Sequence, residues 1–385
     1  MASTHPTSLL GTLDHDSSAA VAIGIGALIA LCWSGVAQGS YEHVLNVAWP
    51  LLRGHVNSLA TLHAFVTNGL MTVFFFAIGL ELSREIRIGT LSKPSHSMPP
   101  VLGALGGMVV TALLSLAIGH LSHTSALVRG WGVPMATDVA FTLGILAVAG
   151  RRLPPTLRIF LLTLAVADDA FSAAVLSLTG HATLHVAGLV AVALLILAGA
   201  WLSSKMAHPV LSLALLVALW GAFVWANIDP PLAGVLAGLL TSFHNEWARR
   251  LERAASRLSI GVVLPLFAVV ACGVRWSSLS LHGPTATIIG ATIVIRLVGK
   301  VLGISAGVAL AHAMHFRLPS SITWPLLFSA ATLCAIGFTV PLLFAGALFG
   351  PGTATYGAFT LGLVGASLLS AILGVSLLRY QTRAK

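Results

Sequence analysis

The stretch LAVADDAFSAAVL, residues 164–176, sets two adjacent carboxylates, Asp168 and Asp169, inside an otherwise apolar run. Arg158 stands before it, and no further Lys, Arg, Asp or Glu follows until Lys205. In a soluble protein such a pair reads as a solvated turn. Composition removes that reading: the 385 residues are 57% hydrophobic and only 8% charged, with a mean hydropathy of +0.96. Soluble domains carry about 25% charged residues. The acids are therefore expected at membrane depth, where a charge at a helix centre costs about 2.5–3.5 kcal/mol on insertion scales.

The formal net charge is +9, which by itself could suggest a nucleic-acid partner. The positions of the charges exclude it, because they fall in short gaps between apolar runs, as topology signals do. Cys32, Cys272 and Cys334 all lie in apolar segments. An odd number without ligand spacing gives neither a disulfide framework nor a zinc site. The polar leader, residues 1–17, has no basic residue before the first apolar run and does not resemble a cleaved signal peptide.

Apolar runs long enough to cross a bilayer, about 17–25 residues, recur along the chain. They fall near 18–37, 61–86, 98–121, 130–150, 155–180, 183–203, 208–226, 229–243, 256–274, 285–312, 322–350 and 356–380. The expected architecture is an all-α membrane protein of twelve spans, one transmembrane domain over 18–380 with a short tail, 381–385. Of the 20 Lys and Arg residues, 15 fall in the even-numbered gaps and the tail, whereas the odd gaps hold only Arg53, Arg129 and Arg275. Positive residues stay on the cytoplasmic side, so both termini are expected there. The stretch 244–258, HNEWARRLERAASRL, reads as a cytosolic amphipathic link.

Two spans carry helix breakers near their middles. One is GVPMATDVAFTLG, 132–144, with Pro134, Thr137 and Asp138; the other is FSAATLCAIGFTVPLLF, 328–344, with Gly337 and Pro341. Non-helical backbone at membrane depth survives only where protein buries it or where it lines a wet cavity. Interrupted spans in corresponding places of two halves point to an inverted-repeat transporter.

Charges recur in the apolar runs at Asp138, Asp168, Asp169, Arg296 and Lys300. Neighbouring helix residues point about 100° apart, so Asp168 and Asp169 face different surroundings. One can face a cation cavity while Lys300 partners the other. Two such carboxylates bind protons as a coupled pair, and hard oxygen ligands suit a hard cation. The bland alternative is a structural acid paired with a base, but one lysine cannot satisfy two divergent acids. Asp138 could instead offset the positive N-terminal ends of broken half-helices, Lys300 could offset their C-terminal ends, and Thr137 could serve as ligand or capping hydroxyl. In FFFAIGLELSREIRIG, 74–89, Glu81 and Glu85 share one helix face beside Arg84. They read either as an exposed helix end or as an acidic funnel that attracts cations, which Glu252 could join. His181 with His185, and His312 with His315, have helical spacing but no accompanying acid, and read as solvated or interfacial. Gly103/Gly107, Gly234/Gly238 and Gly299/Gly303 fit close helix contacts.

Taken in order and spacing, FFFAIGLELSRE (74–85), PMATDVAFTLGILAVAG (134–150), LAVADDA (164–170), RLVGKVLGI (296–304) and LCAIGFT (333–339) resemble the motifs of the bacterial NhaA sodium/proton antiporter family. The resemblance runs from about residue 61 to the C-terminus. It implies broken fourth and eleventh spans crossing near mid-membrane, with Asp169 the main sodium or lithium ligand and Asp168 paired with Lys300. Asp138 and Lys300 would balance half-helix ends, and Glu81, Arg84, Glu85 and Glu252 would match a pH-response cluster. It further implies a secondary transporter of the bacterial inner membrane, not an enzyme and without a cofactor, exchanging cytoplasmic sodium for external protons. Homodimers form in that family through a hairpin between the first two spans, with which residues 36–54 are compatible. Departures from the family pattern are Phe171 after the aspartates, Asp229 where some members have histidine, and the interior Arg296.

Two other classes fit the acids less well. A sodium-coupled symporter of an organic acid would need a larger polar cavity. An intramembrane aspartic protease using Asp138 needs two carboxylates sharing a proton, and the chain lacks the Gly-x-Gly-Asp pattern of such enzymes.

Overall fold

The computed structural model describes residues 9–49, 59–88, 92, 94–138, 141–142, 145–146, 154–179, 185–205, 208–242, 246–279 and 282–383. Arg53, Lys93, Arg151, Arg152, His181, Lys385 and the first eight residues of the leader lie outside them. Among the described residues the regular structure is helical, and extended pairing is confined to one bridge between Ala48 and Thr61.

Helix α1 (Leu9–Val36) meets α2 (Gln38–Asn46) at an angle of 118°. Then come α3 (Leu62–Arg87), α4 (Pro94–Leu121), the short α5 (Ser125–Arg129) and α6 (Pro155–Thr179), which carries the paired acids. They are followed by α7 (Val186–Lys205), α8 (Pro209–Ala226), α9 (Leu232–Leu240), α10 (Glu246–Ala271), α11 (Pro284–Ala313), α12 (Trp324–Leu333), α13 (Thr339–Phe349) and α14 (Ala354–Arg383). Among the described residues seven helices are long and apolar enough to cross a membrane, eight if the bent α1–α2 pair counts as one span.

Two of these elements sharpen the sequence expectation. Within the expected link 244–258, residues Glu246–Leu258 are helical and run on into the span behind through a π turn at Ser259–Val263. Nothing between Leu258 and Leu264 breaks a helix, so the amphipathic segment and the apolar one share one axis. The expected run 322–350 is two helices, of 10 and 11 residues. Its interruption lies at Cys334–Phe338, and Pro341 sits in the first turn of α13, where a missing N–H costs nothing.

The outer helices wear their apolar side chains outward. Val190, Leu194 and Leu197 on α7 are 53%, 60% and 67% exposed and follow one helical face. Polar and charged side chains such as Asp168, Lys300 and Arg296 are wholly buried. That inversion suits hydrocarbon as the solvent.

Two close crossings fix the frame. A Cβ on Gly106 of α4 would collide with the carbonyl of Gly303 on α11, and one on Gly303 would strike Gly106 in return. On the other side Gly79 of α3 and Gly238 of α9 meet in the same way. Small residues let backbones approach when lipid offers no hydrophobic drive to associate. Helices α4, α6, α11, α12 and α14 pack as one group, and α1, α3, α7, α8, α9 and α10 as another, with α6 and α13 touching across between them.

Candidate functional site

The break between α12 and α13 opens backbone groups that must find partners at depth. Their accounting is nearly complete. The Thr332 carbonyl accepts from Ser370 Oγ, and Leu333 O from Thr142 Oγ1 at 3.3 Å. Cys334 O accepts from Thr137 Oγ1 at 2.9 Å, Ala335 O from Arg296 Nε at 2.8 Å, and Ile336 O from the Asp138 amide at 3.0 Å. The Gly337 amide donates to Ser367 Oγ at 3.2 Å. Half of these donors come from the stretch around Thr137 and Asp138, where turns over 130–135 give way to three non-helical residues, 136–138. The non-helical residues 136–138 and the break between α12 and α13 therefore supply partners for each other.

Beside this contact lies Asp168. Lys300 Nζ donates to its Oδ1 and Oδ2 at 3.1 and 3.0 Å, and the Thr137 amide donates to Oδ2 at 2.6 Å. Asp169, one residue on and turned away, is 2% exposed, and its Oδ1 has no hydrogen-bond donor. The pair thus splits as the geometry of adjacent helical positions requires: one acid is neutralised by a base, the other keeps an oxygen available. Phe171 packs half-buried against the apolar core on the same helix. Asp138 accepts from the Phe141 amide through Oδ1 at 3.1 Å, capping the helical residues that follow, as expected of an acid at a half-helix start.

The base that bonds the carbonyls of the interrupted stretches is Arg296. Lys300 makes its bonds to Asp168, and the carbonyls are held by Arg296, whose Nη1 reaches Pro134 O at 2.9 Å while Nε holds Ala335 O. Arg296 and Lys300 are four apart and both 0% exposed, on either side of the end of a π turn, Ile295–Gly299. In the sequence Arg296 stood out as a charge inside an apolar run, but nothing there named the carbonyls it would hold. Ser367 and Ser370 gave no signal.

At the far end of α3, Arg84 gathers three acids. Its Nη1 lies 2.6 Å from Glu85 Oε1, its Nε 2.9 Å from Glu252 Oε1 on α10, and its Nη2 3.9 Å from Glu81 Oε1. Glu85 is buried, so the cluster is not a simple solvated helix end. Ser83 ties the same turn to the carbonyls of Leu239 and Thr241, both at 3.2 Å. Asp229, between α8 and α9, lines a cavity of about 210 Å³ with His63, Thr67 and Asn68 and lies well away in sequence from the acid pair. His185, His312 and His315 are exposed.

The sequence pattern of the family described as Na+/H+ antiporter 1 matches residues 11–378. Among curated proteins the chain is 38% identical over 362 residues to the Na(+)/H(+) antiporter NhaA 2 of Frankia alni, covering 91% of this chain and 74% of that one. It is 39% identical over 349 residues to the Na(+)/H(+) antiporter NhaA 2 of Novosphingobium aromaticivorans, covering 87% and 88%. With the Na(+)/H(+) antiporter NhaA of Escherichia coli O139:H28 it shares 33% identity over 380 residues, 96% of this chain and 97% of that one.

Proposed function

Because the chain belongs to the Na+/H+ antiporter 1 family, we propose that it exports cytoplasmic Na+ or Li+ in exchange for external H+, with Asp168 and Asp169 as the shared ion and proton site. The observation that carries the assignment is the buried Asp169 Oδ1 without a donor, beside an acid already held by Lys300 and the Thr137 amide. A free carboxylate oxygen at depth is costly unless a cation or a proton takes it.

In this reading Na+ first meets Asp169 and then draws Asp168 off Lys300. Carboxylate oxygens suit a hard alkali ion, and the same oxygens suit a proton. The two ligands therefore exclude each other, and only the loaded or protonated site changes sides. A cycle that takes in more protons than the Na+ ions it exports is electrogenic and moves net positive charge inward. The membrane potential then contributes about 2.3 kcal/mol per charge per 100 mV toward Na+ export.

The same reading completes the architecture. It counts twelve spans in two inverted repeats, with the fourth and eleventh discontinuous, as the mutual satisfaction of the two interruptions supports. The single domain, 18–380, sits in the bacterial inner membrane between a cytoplasmic leader, 1–17, and tail, 381–385, as the basic-residue asymmetry supports. Asp138 and Thr137 position the crossing, and Glu81, Arg84, Glu85 and Glu252 form a pH-responsive cluster at the cytoplasmic face. The protein works without a cofactor and assembles as a homodimer.

The deciding experiment uses everted membrane vesicles containing the full chain. The parent should release protons on addition of Na+ or Li+, and Asp169→Asn should not, at equal amounts of folded protein. Retained exchange in Asp169→Asn would remove it as the ligand.

A further inference from the structure

Among the described residues, Arg296 is the one side chain that bonds to both interrupted stretches. Its Nε donates to Ala335 O, just past the end of α12, and its Nη1 to Pro134 O, in the turns that precede Thr137. Ala335 O receives its bond from this guanidinium, whereas Thr332 O and Leu333 O also accept amides of their own segment. Gly337 is shaped around the same group, since a Cβ there would collide with Arg296 Nη2. Three residues beyond Pro134, the Thr137 amide points at Asp168.

We propose that Arg296 is a positioning residue for the ion site: its planar fork sets the register between the two interrupted segments and so aims the Thr137 amide at Asp168. The arrangement divides labour between the two bases of α11. Arg296 serves backbone carbonyls and Lys300 serves Asp168 alone, so Lys300 can let go of its acid without unpinning the crossing. A guanidinium suits the fixed task because it stays charged and presents donors from separate nitrogens in a rigid plane, whereas an ammonium offers all its donors from one nitrogen on a flexible stem and fixes no plane. The proposal rests on the reading that Asp168 and Asp169 hold the ion.

The test measures Na+-driven proton release in everted vesicles for Arg296→Lys, Arg296→Met and Gly337→Ala, with gel filtration reporting the folded fraction. Asp169→Asn is carried alongside. A misaimed site should weaken ion binding more than turnover. Arg296→Met and Gly337→Ala should raise the apparent KM for Na+ by about tenfold with Vmax within threefold, and Arg296→Lys should fall between them and the parent. If Arg296→Met does not accumulate, the other two variants decide. A KM within twofold of the parent in the folded variants, or loss of Vmax at unchanged KM, would overturn the positioning role. Exchange surviving in Asp169→Asn would instead overturn the ion-site assignment beneath it, so the two failures are told apart.

Discussion

Lys300 Nζ sits 3.1 and 3.0 Å from the two carboxylate oxygens of Asp168, with both side chains removed from solvent. A buried pair of this kind contributes little net stability, yet removing one partner strands a charge and costs about 3–5 kcal/mol. The asymmetry makes the pair testable apart from transport.

Lys300→Met should lower the thermal midpoint in detergent sharply, as should Asp168→Leu. The double variant should be more stable than either single one, because neither charge is then left alone. Additive losses in the double-mutant cycle would show that the two groups are not coupled in the folded protein.

If protons and Na+ compete for the same oxygens, as proposed, apparent Na+ affinity should climb with pH and level off once the carboxylates have lost their protons. Calorimetry in buffers of different ionisation heat should detect proton release on Na+ binding. An affinity independent of pH, or binding with no proton released, contradicts the competition.

Arg84 and Glu252, both partly exposed, join α3 to α10, and such an ion pair is worth about 0.2–1 kcal/mol. Glu252→Gln should therefore barely move the thermal midpoint. If the cluster senses pH, the variant should displace the pH at which proton flux switches on. A profile that superimposes on the parent would leave Arg84 and Glu252 as simple helix ties.

Gly303→Val should destabilise by about 1–3 kcal/mol, the usual penalty for overfilling a packed site, because its side chain would meet the Gly106 backbone. Gly261→Ala is the control, since nothing lies within 4 Å of a Cβ there. Equal thermal midpoints for the two variants would mean that α4 and α11 are not held at that crossing.

Much of the site was legible in the sequence because burying charge is so costly in an apolar run: Asp138, Asp168, Asp169 and Lys300 stood out on that ground alone. The split between Asp168 and Asp169 followed from the angle between adjacent helical residues. Of the two breakers read in the second stretch, Gly337 lies within the break, whereas Pro341 fits an opening helical turn. The work of Arg296 was not legible, because which carbonyl is left without an amide depends on two segments meeting across nearly 200 residues of chain, as Thr137 and Cys334 do (|i−j| of 197). The continuity of α10 was hidden for a different reason: a polar amphipathic half and an apolar half look like two elements until one sees that no residue between them stops the helix.

The backbone contact of Gly106 with Gly303 has a mechanical consequence. At that point no side chain stands between the two backbones, so α4 and α11 have nothing there to repack if they shift, and Gly79 with Gly238 ties α3 to α9 in the same manner. Sliding at either crossing would drive backbone into backbone, while α6, which carries the two acids, touches both α3 and α4.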